Sequence, residues 1–251
     1  MQSWRIDLCW DGAAYCGWQR QKNGASIQEM VEKSLCQLFG GEKITTLAAG
    51  RTDAGVHAMQ QIVSFEAETE RSEYRVYRAL NALLPNDIGC LRAKKMSPGF
   101  RARNASKKKM YRYRVLNRDI HDPLRRGRVW WVRDPIAMDR IQAELPSFVG
   151  EHDFTTFRAS GCTANGSTRL IDSFVCYAQD DEIIFEVVGK GFLRHQVRIM
   201  VGSLVDIGRN VLKESSIVDL LHQKDRTCAG MTAPAHGLYL VWTSLQTDEN
   251  T

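Results

Sequence analysis

No run in this 251-residue sequence approaches the roughly 20 consecutive apolar residues that a membrane-spanning helix requires. The opening segment Met1 to Trp10 carries Arg5 and Asp7 inside its apolar pattern, so no signal-peptide core is expected there. Seven cysteines, at 9, 16, 36, 90, 162, 176 and 228, are odd in number, scattered, and never spaced Cys-x-x-Cys. That spacing argues against a disulfide framework or a structural zinc site and fits free thiols in a reducing cytoplasm. Neither Gly-x-Gly-x-x-Gly nor Gly-x-x-x-x-Gly-Lys-Ser/Thr occurs, so no dinucleotide or phosphate loop is expected. Carboxylates and histidines do not gather at metal-ligand spacings either; only His57 stands near Asp53. The expectation is a protein without membrane association, metal or cofactor.

What is present reads as an ordinary globular chain. Hydrophobic residues make up 43% and charged residues 25%, enough for a large core in one domain or two. The net charge of +5 is unevenly spread. Eleven Lys or Arg lie between Arg101 and Arg128 against only Asp119 and Asp122, a local excess of +9 that leaves −4 for the remainder. A concentrated basic stretch in a nearly balanced protein is an electrostatic footprint for a polyanion, or else a solvated basic hairpin.

Trp4, Ile6, Leu8 and Trp10 alternate with polar residues and predict a half-buried strand over Ser3 to Trp10. Asp11-Gly12 is a turn, and the aromatic and polar mixture Ala13 to Lys22 follows as a loop. Ser26 and Glu29 form a capping-box pattern ahead of an amphipathic helix ending at Gly40-Gly41. Ile44 to Ala49 and Gln60 to Phe65 read as strands, Ser72 caps a helix stopped by Pro85, and Ile88 to Lys94 is a strand. Met110 to Leu116 is another strand, with Tyr111, Tyr113 and Val115 on one face and Arg112 and Arg114 on the other. A helix runs from Asp134-Pro135 to about Leu145, and Glu151 to Ser160 reads as a helical turn and loop. Thr168 to Ala178 and Glu182 to Lys190 form a hairpin, and Phe192 to Gly208 is a helix. Another helix starts at Ser215 or Ser216, and Gly237 to Leu245 closes the chain as a strand. No low-complexity linker and no alignable repeat divides the sequence. An α+β fold with residues 1–103 and 104–251 as two similar α/β halves sharing a mostly antiparallel sheet accounts for the order of elements.

Ala49 to Ala58 reads Ala-Gly-Arg-Thr-Asp-Ala-Gly-Val-His-Ala, a tight loop between strands with Asp53 at its centre and Gly50 and Gly55 on either side. A carboxylate that acts as a nucleophile must stay ionised, which a nearby arginine favours. Arg51 is two residues away, and the predicted helix over Phe192 to Gly208 carries Arg194, His195 and Arg198. Tyr111 and Tyr113 beside Lys107-Lys108-Lys109 suit an RNA whose bases stack on aromatic rings. Together these residues point to chemistry on a nucleotide within RNA.

The loop resembles the signature of the bacterial tRNA pseudouridine synthase A family. Asp11-Gly12 through Tyr15-Cys16-Gly17-Trp18-Gln19-Arg20-Gln21, Phe100-Arg101-Ala102-Arg103 with Tyr111-Arg112-Tyr113, and Gly150 to Ala159 resemble further motifs of that family in its order. So do Gly191 to Arg198 and Thr232 to Leu240. The resemblance implies isomerisation of uridine to pseudouridine at positions 38, 39 and 40 in the tRNA anticodon arm, by a cytoplasmic homodimer using no metal or cofactor. It implies two α/β halves joined into one antiparallel sheet with a central cleft. It makes Asp53 the nucleophile, Tyr111 the stacking partner of the uracil and Arg198 the partner of the aspartate, with Arg51 contacting RNA or bracing the loop. His57 becomes a brace for the loop rather than a base. Attack by Asp53 at the sugar carbon and attack at the base both demand an ionised carboxylate at short range. Gln196 stands where the family commonly has Met, and Pro146 interrupts a helix that is usually unbroken. An inert RNA-binding protein would share the basic stretch without needing the Asp53 loop, and a methyltransferase would need a cofactor pocket.

Overall fold

The computed structural model describes residues 1–212 and 216–246. The fold class is mixed α and β, and the chain forms two compact units. The first holds Met1–Lys108 and the strand from Leu240 on; the second holds Lys109–Tyr239.

In the first unit, β1 (Gln2–Trp10) is followed by α1 (Ile27–Leu38), β2 (Leu47–Ala48), β3 (His57–Ala67), α2 (Glu73–Leu83), β4 (Ile88–Met96) and the single turn α3 (Ala102–Ala105). The order strand, helix, strand, strand, helix, strand is the one read from the sequence. β1 lies between β3 and β4, antiparallel to both, and β2 pairs with β3. The expected half-buried β1 is instead buried on both faces. Its polar face is closed because Arg5 donates to Asp7 through Nε (2.7 Å) and Nη2 (3.0 Å), so two charges meet within the sheet. Ser26 and Ser72 cap α1 and α2 by accepting the backbone N–H groups of Glu29 and Arg75. Ile27, Val31 and Leu35 of α1 and Val76 and Leu80 of α2 then form the buried stripes.

The second unit begins within β5 (Ser106–Asn117) and continues with β6 (Trp130–Val132), α4 (Met138–Glu144), β7 (Gly150–Asp153), β8 (Thr168–Gln179), β9 (Glu182–Gly189), α5 (Gln196–Gly208) and α6 (Ile217–Gln223). β5, β9, β8 and β7 are neighbours in that order, all antiparallel, while β6 lies parallel to the end of β5. Of two short strands, β6 falls where the sequence predicts no element, and β7 overlaps the start of the segment expected as a helical turn and loop. Pro146 falls in a 3-10 turn, Leu145–Phe148, that continues from α4 and ends the α-helical pattern at Glu144. α5 starts four residues later than expected because His195, at φ 60, is its left-handed N-cap; Arg194 and His195 therefore belong to the preceding loop. Ser216 caps α6, whereas Ser215 lies outside the described residues. α5 is buried along nearly its whole length, and Phe148, Phe154 and Phe157 pack in the core of this unit.

The closing strand β10 (Leu238–Leu245) runs beside β3 in the first unit. There the backbone N–H of Thr243 donates to the Gln60 side chain at 2.9 Å, and Leu245 packs with Ala49, Ile62 and Ala102.

Candidate functional site

Gly50 to Val56 crosses from β2 to β3, and the chain around it holds it mainly by its backbone. Trp18 N–H donates to the Thr52 carbonyl (3.1 Å), and Gly55 N–H donates to the Tyr15 carbonyl (3.2 Å). The Trp10 indole donates to the Val56 carbonyl (3.1 Å), and the Gln61 amide donates to the Gly50 carbonyl (2.9 Å). Val56 N–H closes a turn on the Asp53 carbonyl at 3.2 Å. Each of these bonds uses a main-chain group of the loop.

Two glycines make this approach feasible. A Cβ on Gly12 would stand 2.1 Å from the Val56 carbonyl oxygen, and one on Gly17, whose φ is +103, would stand 2.6 Å from the Thr52 carbonyl oxygen. The Asp11 to Trp18 segment, which takes in the first part of the loop expected over Ala13 to Lys22, is therefore a clamp beneath the Asp53 loop. Its own anchors are the Tyr15 hydroxyl on Asp87 (2.6 Å) and the bonds from Ile27 and Gln28 N–H to the Gly17 and Trp18 carbonyls. The Asp-Gly turn and the lone Gly17 were the signals in the sequence for this close approach.

His57 is buried at 3% exposure, with Nδ1 3.1 Å from the Gly12 amide nitrogen and 2.9 Å from Asp11 Oδ1. Nδ1 either accepts from Gly12 or, when protonated, pairs with Asp11; both bind the turn to the start of β3. The position is that of a brace. Arg51 is exposed on the loop, and Asp53 beside the buried Thr52 is partly exposed.

In the second unit, Tyr111 and Tyr113 share the buried face of β5, as the alternation predicts. Tyr111 meets the ring of Phe192 edge-on at 5.2 Å between centroids. Tyr113 lies behind it; its hydroxyl donates to the Pro234 carbonyl at 2.6 Å, and burial raises its pKa above the ordinary phenol value. Gly237 makes room for this ring, since a Cβ there would come within 2.7 Å of it. Arg198, on the first turn of α5, donates through Nε to the Ala233 carbonyl (2.7 Å), and its own carbonyl accepts the Ala233 N–H (3.1 Å). Tyr113 and Arg198 thus hold consecutive carbonyls of one segment, Thr232 to Pro234. Phe192 was not singled out from the sequence as a site residue; its place beside Tyr111 is set by the irregular turn before α5. Gln196 is buried at 1% exposure and its Oε1 accepts the Leu193 N–H at 2.8 Å, which closes that turn.

The basic stretch is less open than its composition suggests. Arg112 and Arg114 project from the other face of β5 onto Glu186 and Glu182 of β9 at 2.7 Å each. Arg118 and Arg125 engage Asp181 at 2.9 and 2.5 Å, and Arg125 also reaches Asp122 and Glu182. Carboxylates of the β8–β9 hairpin region therefore neutralise part of the excess. Arg101, Arg103 and Arg126 remain exposed. Among the described residues, no group of three or more His, Cys, Asp or Glu is placed to hold a metal ion, and no helix is long and apolar enough to cross a membrane.

Residues 10–103 and 145–243 match the family model described as tRNA pseudouridine synthase, so Arg51, Asp53 and Arg198 lie inside the matched stretches and Tyr111 between them. Tyr111 thus gains no support from that match. The chain is 39% identical over 241 residues to tRNA pseudouridine synthase A of Pelobacter propionicus, covering 96% of this chain and 98% of that one. It is 41% identical over 242 residues to the protein of the same name from Anaplasma marginale strain Florida, with 95% and 98% coverage. Against tRNA pseudouridine synthase A 1 of Bacillus cereus the identity is 39% over 236 residues, with 94% and 96% coverage. An aspartate loop clamped by its backbone, on a chain matched over nearly its whole length, defines an RNA-modifying isomerase. The protein belongs to the tRNA pseudouridine synthase family.

Proposed function

We propose that this enzyme converts uridine to pseudouridine at positions 38, 39 and 40 in the anticodon arm of tRNA, with Asp53 as its nucleophile. The observation that carries the residue assignment is the Asp53 loop, whose main-chain groups bond to the Tyr15 carbonyl, the Trp18 N–H and the Gln61 side-chain amide, with Asp53 itself partly exposed. Preorganisation of this kind fixes the position of a reacting group. The glycosidic bond from C1′ to N1 breaks, the uracil turns, and a bond from C1′ to C5 forms. The C5 hydrogen leaves as a proton and N1 gains one, so the reaction needs no oxidant, reductant or metal.

Uracil must leave the base stack to meet a carboxylate, at a cost of a few kcal/mol. Tyr111 offers a ring on which the base stacks, returning about 1–3 kcal/mol. Arg198 serves as the guanidinium partner of the aspartate, and Arg51, exposed on the same loop, contacts RNA. The enzyme works in the cytoplasm as a homodimer; seven free thiols suit a reducing compartment. Purified protein incubated with unmodified tRNA transcript, without additives, should form pseudouridine in the anticodon arm. A product that depends on S-adenosylmethionine, or tight binding with no product, would overturn the assignment. Sedimentation at assay concentration tests the dimer.

A further inference from the structure

We infer that the second unit carries a built phosphate pocket, formed by Arg158, Arg194 and Arg226, which receives a backbone phosphate of the RNA strand bearing the target uridine. The inference rests on the assignment of RNA as substrate. A cavity of about 670 Å³ opens between the Thr155 to Cys162 segment, the Arg194–His195 turn and the Lys224 to Thr232 segment. Its position is set by elements already described. Arg194 lies two residues after Phe192, the ring packed on Tyr111, and four residues before Arg198, in the loop that leads into α5.

The three guanidiniums are held in place without a countercharge. Arg158 donates to the carbonyls of Cys162 (2.7 Å) and Ala164 (3.2 Å) and to Ser167 Oγ (3.2 Å). Arg194 donates to the Ser160 carbonyl at 3.0 Å, and a Cβ on Gly161 would meet its Nη1 at 2.9 Å. Arg226 donates to the Ala229 and Gly230 carbonyls and to Thr232 Oγ1. Among the described residues, none of the three pairs with a carboxylate. The other charges on the cavity are Lys224, already bound to Asp153 at 3.1 Å, and Asp225, whose carboxylate accepts the Thr227 N–H at 2.9 Å. Three fixed positive charges thus face one carboxylate with no cation bound to it.

Two electrostatic consequences agree with this balance. Burial lowers the pKa of Arg226, the expected effect on a desolvated guanidinium that has no anion beside it. Burial pushes the Cys162 thiol up, yet backbone hydrogen bonds at Arg194 and Ala164 and the Arg158 guanidinium outweigh it and hold the thiol below its ordinary value. A guanidinium fork already oriented by carbonyls, with further N–H groups facing a cavity, is suited to phosphate oxygens. Ser160 and Thr232 also line the cavity.

The test is the salt dependence of unmodified tRNA transcript binding to wild type, Arg194→Gln and Arg194→Lys, read together with the alkylation rate of Cys162 by peptide mass spectrometry. Each phosphate contact contributes about 0.7 to the slope of log affinity against log salt for a single strand. Arg194→Gln should lose about that amount, Arg194→Lys should retain it, and tRNA should slow Cys162 alkylation severalfold in wild type. Inorganic phosphate at the same phosphate concentration should protect far less. An unchanged slope in Arg194→Gln, equal behaviour of the Gln and Lys variants, or protection by inorganic phosphate but not by tRNA would overturn the pocket. Wild type that binds tRNA with this signature but forms no pseudouridine would leave the pocket standing and sink the isomerase assignment instead.

Discussion

The backbone N–H of Trp18 donates to the carbonyl of Thr52 at 3.1 Å, so the residue that precedes Asp53 hangs from a segment more than thirty positions earlier in the chain. Gly17 allows this contact at φ +103, and no side chain fits between the two backbones. Gly17→Ala should therefore displace the Asp53 loop. We predict a stability loss of about 1–3 kcal/mol from backbone strain, visible in the thermal midpoint. We also predict a fall in kcat of about 10–100-fold with KM for tRNA nearly unchanged, because a displacement near 1 Å at a reacting group is costly. Wild-type kcat in a folded Gly17→Ala protein would show that the clamp does not set the loop.

Tyr111, proposed to stack on the uracil, packs its ring on Phe192. Tyr111→Phe should keep both contacts and reveal any role of the hydroxyl by its rate. Tyr111→Ala should lose the stacking, worth about 1–3 kcal/mol, or up to about a hundredfold in kcat/KM. Equal kcat/KM for Tyr111→Ala and wild type would remove Tyr111 from the site.

Arginines of the basic stretch should separate into two groups. Arg101 and Arg103 are exposed, whereas Arg112 and Arg114 are paired with Glu186 and Glu182. Arg101→Gln and Arg103→Gln should each lower the salt slope of tRNA binding by about 0.7–0.9 while leaving the thermal midpoint near wild type. Arg112→Gln and Arg114→Gln should do the reverse, lowering stability by up to about 1 kcal/mol with the slope intact. Binding and unfolding measured on the same four variants decide the matter.

The thiols of Cys90 and Cys176 are buried, and burial pushes each up to about 12. Raised values in the fold mean that their stabilising effect is complete below the unfolded thiol value of about 9 and is lost as pH climbs towards 12. The thermal midpoint should therefore fall between pH 9 and 11, and Cys176→Ala should flatten that fall even though it lowers the midpoint at pH 7. An alkaline profile parallel to wild type would contradict this.

Much of the architecture was legible in local chemistry. Ser26 and Ser72 marked their helices because an N-cap is a short-range bond, and the period-2 pattern of β5 showed which face holds Tyr111 and Tyr113. β6 and β7 were not legible, since three or four residues carry no period and their pairing with β5 and β8 decides them. Arg194 and His195 were read into α5 because composition does not announce a left-handed residue such as His195. The covered polar face of β1 depends on an ion pair, Arg5 with Asp7, whose members looked like solvent-facing alternation. Among the site residues, the Asp53 loop stood out by its glycines. What supports that loop from below, through Gly12 and Gly17, required the long-range contact itself.

The most direct measurement is release of tritium from tRNA labelled at C5 of uridine, in a single turnover with Asp53→Asn and Asp53→Ala, alongside tRNA affinity of the same proteins. Both variants should release no label above background while binding tRNA within a few-fold of wild type. Label released by either variant at a rate near that of wild type would contradict the assignment of Asp53 as the nucleophile.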